Sequence, residues 1–475
     1  MTVDRATELR LRAAIERELP AAEAELADLV GIPGIAFPGF DQSELDRSAD
    51  AVATLLRGCG LAVDVVRAGG RPAVIGRRAA PPGAPTVLLY AHHDVQPPGD
   101  LALWHSDPFV PAERNGRLYG RGAADNKAGL MAHVTALRAL GDDLPVGVVV
   151  FVEGEEESGS ASLADLLTAH RQDLRADVVV VADSANWDVG VPALTTSLRG
   201  IVNCVVEVRT LRASVHSGIF GGAVPDALTV LCRLLATLHD DAGDVAVDGL
   251  TTARPSTVEL PVERLRADAG LLDGVRLTGT GPVADRLWTR PSVSVLGMDA
   301  PATESAANAL VPSARAKVSV RLAPGDRPAD AFAALLDHLH QHCPWGAELT
   351  VGLDGGGAPC VIDTGGRHYD AARAALTTAW AGVTPVEIGV GGSIPAVAAL
   401  QRAFPAATIM VTGVEDPHTH SHGPNESLHL GEFGRVCLAE ALLLAGLADV
   451  LPPAGQPVPA SSRIASGVTG STTVS

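Results

Sequence analysis

Aromatic residues make up only 3% of this 475-residue sequence, and its 36 Lys and Arg are outnumbered by 55 Asp and Glu. The net charge of -19 and the want of any Lys/Arg cluster argue against a nucleic-acid partner, because holding a phosphate backbone takes clustered cations. No apolar run of about 18 residues offers a membrane span. The polar start MTVDRATELR lacks the apolar segment of a secretory signal, so a cytoplasmic location is expected. The six cysteines (Cys59, Cys204, Cys232, Cys343, Cys360, Cys437) show no C-x-x-C spacing. Neither a disulfide framework nor a thiolate zinc site is indicated, and buried reduced thiols are the expectation.

What is present is a chain rich in Ala, Val and Leu, 47% hydrophobic and 19% charged, the composition of a soluble globular protein. Its length suggests two units, one of them discontinuous. Residues 5–30 carry apolar side chains at helical spacing, and GIPGIAFPGF then breaks the helix. A second helix is expected at 43–57, opened by Ser43 with Asp46 as a shortened capping box. Four short apolar runs matter most: TVLLYA (86–91), VGVVVFV (146–152), DVVVVA (177–182) and ATIMVTG (407–413). Such unbroken runs mark strands covered on both faces. With helical stretches at 126–140 and 160–170 they predict an α/β fold with a mostly parallel sheet covered by helices.

Residues 199–353 read differently. IVNCVVEVRTL and ARAKVSVRLAP alternate more loosely, and helical patterns at 224–239 and 328–341 stand between strands, as in a separate α+β unit. The expected organisation is a main domain in two parts, 1–198 and 354–450, around an insertion at 199–353. The tail at 451–475, rich in Pro, Ser, Gly and Thr, is expected to be disordered.

In open α/β sheets ligands bind beyond the carboxyl ends of the strands. Each of the four runs leads there into potential metal ligands: His92, His93 and Asp94; Glu153, Glu155, Glu156 and Glu157; Asp183; and His418, His420 and His422. A lone Asp after a strand is ordinarily a turn or cap residue, and a lone His a surface or core residue. Four strand ends carrying such groups together are harder to dismiss, since converging carboxylates repel unless cations hold them. Oxygen and nitrogen donors without thiolate suit zinc, manganese or cobalt. Asp125, in the glycine-rich LYGRGAADNKAG, adds a carboxylate that either joins this set or caps the helix behind it.

Six motifs, YAHHDVQP, WHSDPF, GRGAADNKAG, EGEEESGS, VHSGIFGG and HSHGPNES, stand in the order found in a family of dinuclear metallopeptidases. The chain resembles that family, which includes carnosinase, cytosolic nonspecific dipeptidase, carboxypeptidase G and the aminoacylases, from about residue 20 to 450. HHDVQP, the spaced Trp and DPF, and LWTRPSVSVLGM are most similar to its dipeptidase and carnosinase branch.

The resemblance implies a catalytic α/β domain and an inserted lid that dimerises. It implies two divalent ions per subunit, zinc in the first place with manganese or cobalt as alternatives. His92 and Asp183 would ligate one ion, Glu157 and His422 the other, and Asp125 would bridge them; the peptide from Asp125 to Asn126 would be cis. Glu156 would be the general base for a hydroxide shared by the ions, and Asp94 the residue that orients His92. His216 would reach the other subunit's site, Arg321 would bind the substrate carboxylate, and Gly392 and Ser393 would line the substrate pocket. The dipeptidases of that family carry Arg and Glu just before the glycines that correspond to Gly391 and Gly392, where this chain has Gly389 and Val390. The expected activity is hydrolysis of dipeptides or short peptides. An N-acyl amino acid amidohydrolase and a non-catalytic, metal-stabilised dimeric binding protein are the alternatives.

Overall fold

The computed structural model describes residues 3–448, so the tail at 451–475 lies outside the described residues. Four parallel strands occupy the centre of a nine-stranded sheet, in the order Gly147–Glu153, Thr86–His92, Val178–Ala182, Thr408–Thr412. These are the four apolar runs, and nearly every residue in them is buried. A strand flanked on both sides and covered on both faces has no polar face to show, which is why the runs do not alternate. Because the four run in one direction, the segments that follow them emerge at one edge of the sheet.

The sheet as a whole is mixed rather than mostly parallel. Ala73–Arg78 pairs antiparallel with Gly147–Glu153, and Ala62–Val66 pairs antiparallel with it in turn. On the far side Ala193–Leu198 runs antiparallel to Thr408–Thr412 and to Cys360–Val361, but parallel to Val386–Val390. The short connection between Ala62–Val66 and Ala73–Arg78 explains one departure, since a parallel return needs a long crossover.

Arg5–Val30, Lys127–Leu140 and Leu430–Leu447 pack against one another, with Arg367–Ala379 on the last of them. All four contribute to the main apolar core, together with the central strands. The helix Ser43–Gly58 packs on Ala62–Val66 and Ala73–Arg78, but Ser43 is its first residue and caps nothing. Asp41 accepts the Ser43 amide at 2.9 Å and its hydroxyl at 2.7 Å, an Asx-type turn that replaces the expected box.

A second, four-stranded antiparallel sheet has the order Ser292–Asp299, Ser313–Leu322, Gly200–Arg209, Glu348–Gly357. Gly200–Arg209 alternates buried and half-buried residues along its length, as a sheet covered on one face requires. The helices Ala227–Ala236 and Pro328–His342 supply the cover and share a separate core with it. Its last strand runs on past 353 to Gly357. The chain enters this sheet from Ala193–Leu198 through Arg199 and returns at Cys360–Val361.

Candidate metal centre

The carboxyl ends of the parallel strands bring together His92, Asp125, Glu157, Asp183 and His422. His92 closes its strand, and Asp183 directly follows Val178–Ala182 on the neighbouring one. Their ligand-capable atoms form two groups, His92 with Asp125 and Asp183, and Asp125 with Glu157 and His422, each within 4.8 Å. His92 Nε2 lies 3.2 Å from Asp125 Oδ1 and 3.4 Å from Asp183 Oδ1. His422 Nε2 lies 3.0 Å from Asp125 Oδ2 and 3.2 Å from Glu157 Oε2. One Asp125 oxygen therefore faces each group. The Asp125–Asn126 peptide is cis.

The orientation of His92 follows from its other nitrogen. Nδ1 lies 3.1 Å from the Asp94 carbonyl oxygen, which can only accept, so Nδ1 carries a proton and Nε2 faces the carboxylates. The Asp94 carboxylate stands slightly farther off, at 3.4 Å. Its two oxygens accept the backbone amides of Glu156 and Glu157, each at 3.1 Å. Asp94 thus holds the turn that carries both glutamates.

The four glutamates after Phe151 take different places. Glu153 is buried and accepts the Tyr90 hydroxyl at 2.7 Å, and burial pushes its carboxyl up to about 7. Glu155 accepts the amides of Arg71 and Ser162 and so closes the turn. Glu157 belongs to a ligand group, and Gln96 Nε2 donates to its Oε2 at 2.8 Å. Glu156 is in neither group.

Three carboxylates face two imidazoles among the five residues of the two groups. Burial, then Asp183, raises the Glu156 carboxyl well above its usual range, and burial with Asp125 raises Glu157. Burial alone would depress His92, but Asp183, Asp125 and Asp94 lift it well above normal. Bonds to Asp125 and then Glu157 lift His422 to about 11. Protons are here held where the carboxylates outnumber positive charge, and divalent ions on the same nitrogen and oxygen atoms would answer that demand. The donor set therefore fits two ions sharing Asp125.

Several contacts escape a motif reading. Asn126 Nδ2 donates to Asp183 Oδ1 at 2.9 Å, while its Oδ1 accepts the His92 amide at 3.3 Å, tying the two strand ends together. Glu415 accepts the Ser421 hydroxyl at 2.6 Å beside the same centre. His93 is buried and directs Nε2 to the Pro72 carbonyl at 2.9 Å. His418 and His420 are exposed and lie in neither ligand group.

The substrate residues expected from sequence belong to neither ligand group. His216 is exposed on the second sheet's side, its Nδ1 accepting the Gly218 amide at 3.0 Å. Arg321 is half-buried near Arg199, which burial and Arg321 together hold down to about 10. Gly392 and Ser393 lie in the half-buried turn between Val386–Val390 and Pro395–Ala403. At Gly389 a Cβ would come within 2.7 Å of Trp288 Cβ, which accounts for the missing side chain there.

Residues 88–445 match the model of peptidase family M20/M25/M40. The chain belongs to this family. Among its M20 relatives is a cysteinylglycine-S-conjugate dipeptidase from Corynebacterium striatum, 38% identical over 379 residues, covering 78% of this chain and 83% of the relative. The Beta-Ala-His dipeptidase of Homo sapiens is 29% identical over 382 residues, covering 75% and 74%. The crystal structure of human carnosine dipeptidase 1 superposes with a TM-score of 0.77 at 26% identity, covering 93% of this chain and all of that one (100%). The dipeptidase Dug1p of Saccharomyces cerevisiae shares the fold, with a TM-score of 0.79 at 24% identity over 93% and 98%. Membership of M20 agrees with the family resemblance carried by the six motifs.

Proposed function

We propose that this M20 peptidase hydrolyses dipeptides or short peptides with two divalent ions, the native metal being zinc, with manganese or cobalt as substitutes. The observation that carries the reading is the split of two adjacent glutamates: Glu157 enters a ligand group, and Glu156 stands among the same charges in neither. Two ions, when bound, would supply Lewis acidity and lower the pKa of the attacking water. His92, Asp125, Asp183, Glu157 and His422 would hold them. Glu156, kept free of both groups, takes the proton of the attacking water and returns it to the leaving amine nitrogen. Asp94 keeps Glu156 and Glu157 in place through their amides and holds His92 through its carbonyl.

Arg321 suits the carboxylate of the substrate's C-terminal residue. Its neighbour Arg199 is already committed to the carbonyl oxygens of Gly391, Arg286 and Arg290, which supports Arg321 as the guanidinium left for an anion. Gly392 and Ser393 would line the same pocket. We assign 199–353 as the inserted lid domain and 1–198 with 354–450 as the catalytic domain. The lid would pair two copies into a homodimer and carry His216 to the opposite site, where it stabilises the developing oxyanion. In support, Val295, Leu296 and Met298 are exposed on the edge strand Ser292–Asp299, and Ile219 and Phe220 beside His216. An apolar edge strand invites pairing unless something covers it. Among the described residues no helix is long and apolar enough to cross a membrane, which is compatible with the proposed cytoplasmic location.

A zinc-reconstituted assay of free dipeptides against their N-acetylated counterparts tests the assignment. Hydrolysis of the free dipeptides is expected. Cleavage of only the N-acetylated compounds would replace it by the N-acyl amino acid amidohydrolase reading, and no hydrolysis of either with both ions bound would favour a binding protein.

A further inference from the structure

We propose that Glu426 is a positioning residue that locks the shared carboxylate of Asp125 in register with His422. This rests on the two-ion reading above. Glu426 is fully buried and ends the loop on which His422 stands. Its Oε1 accepts the amides of Ala124 at 3.0 Å and Asp125 at 3.1 Å. Its Oε2 accepts the Gly122 amide at 3.1 Å and Arg121 Nη1 at 2.6 Å. Arg121, itself buried, sends Nη2 to the Gly423 carbonyl at 3.0 Å, and the Gly120 amide donates to the Glu426 carbonyl at 3.0 Å. Six hydrogen bonds thus join residues 120–125 to 423–426, and each segment carries or adjoins one of the ligand-capable side chains.

Backbone amides that converge from one turn make an anion-binding concavity, and here the anion is the protein's own tethered carboxylate. Only a carboxylate suits the place, since all four groups facing it are donors. Its buried charge is compensated by Arg121 and three amides, the condition under which a buried ion pair persists. The contact with the Asp125 amide lies one bond from the Cα that bears the shared side chain. His92, Asp183 and Glu157 stand on other segments, so loosening this clamp displaces Asp125 and His422 while leaving the remaining three anchored.

Glu426→Gln keeps the volume but turns a donor toward donors. Competition of the full-length chain with a chromophoric chelator for zinc reads each ion separately, and apo-protein melting reads the fold. The expected result is one zinc ion weakened by about 10- to 100-fold, the usual cost of losing a partner that orients a ligand, with the second weakened distinctly less. Undiminished binding of both ions with only a lower melting temperature would make Glu426 a scaffold residue and overturn the proposal while leaving the metal centre intact. Equal weakening of both ions would overturn its link to His422. An unaltered chain that binds fewer than two zinc ions would remove the two-ion reading and the proposal with it. Should Glu426→Gln not fold, Arg121→Lys keeps the charge but loses the second arm to Gly423. The same order of weakening is expected there, and unchanged affinities would overturn the clamp.

Discussion

The two ligand groups share one carboxylate and differ in almost everything else. His92 and Asp183 stand at the ends of adjacent parallel strands, and the His92 side chain is buried. Glu157 and His422 stand on turns, and the His422 side chain is 57% exposed. The first group takes its geometry from the strand ladder, with Asn126 spanning the gap. The second has no ladder and is held by single side chains: Asp94 on the Glu157 amide, Gln96 on the Glu157 carboxylate, Glu426 under Asp125. His420, His422 and Asn425 all take left-handed backbone conformations, a local cost that surrounding contacts must offset. One half of the centre comes with the fold, and the other is assembled on top of it.

Asp125→Ala breaks the comparison outright, since it removes the one group common to both halves. Both ions should be lost at concentrations that saturate the unaltered chain, a larger effect than the ~100-fold that loss of an outer partner costs. Metal content after gel filtration checks this, and retention of either ion at full affinity would mean that Asp125 is not shared. Glu156→Gln comes next. Because Glu156 belongs to neither half, both ions should stay bound while kcat falls by about 10²- to 10⁴-fold, the usual contribution of a general base. Steady-state kinetics on the metal-loaded variant with a dipeptide decides it; unchanged kcat would end the assignment.

The same contrast governs what could be read from sequence. Each candidate ligand at a strand end announces itself, because an unbroken apolar run such as DVVVVA has a visible end and Asp183 follows it. The side chains that hold the turn-borne half do not. Gln96 acts on a residue 61 positions away and Glu426 on amides some 300 away, and the partners of Glu426 are largely backbone groups, which leave no mark in a sequence. That the four runs are central and parallel follows from burial on both faces, whereas their order in the sheet was not legible. The antiparallel pairings of Ala62–Val66 and Ala193–Leu198 were not legible, since direction outside the central four depends on connection length and on which edge is free. Ser43 misled for a related reason: Asp41, two residues earlier, competes for its amide.

Gln96→Met sharpens the comparison on a smaller scale. It removes the Gln96 amide donor to Glu157 Oε2 at nearly constant volume, so the turn-borne ion should weaken by less than about 10-fold and the other should hold. Chelator competition measures both, and a loss confined to the strand-end ion would reverse the assignment of the two halves.

The smallest effect is expected beneath the strand-end half, where His133 joins the sheet to the helical layer. Its Nε2 lies 3.0 Å from the Tyr90 carbonyl, and its Nδ1 lies 2.6 Å from Glu440 on the helix Leu430–Leu447. Burial alone would lower this imidazole, but Glu440 raises it above the normal value. A histidine raised on folding contributes stability that is fully present below its unfolded pKa of about 6.5 and is lost as pH rises through the folded value. His133→Gln should therefore lower the melting temperature of the metal-free chain more at pH 6 than at pH 9, and leave the affinities of both ions unchanged. A melting difference that grows with pH would show that the pair is not charged. A change in ion affinity would show that the strand-end half depends on the helices beneath it as well as on the ladder.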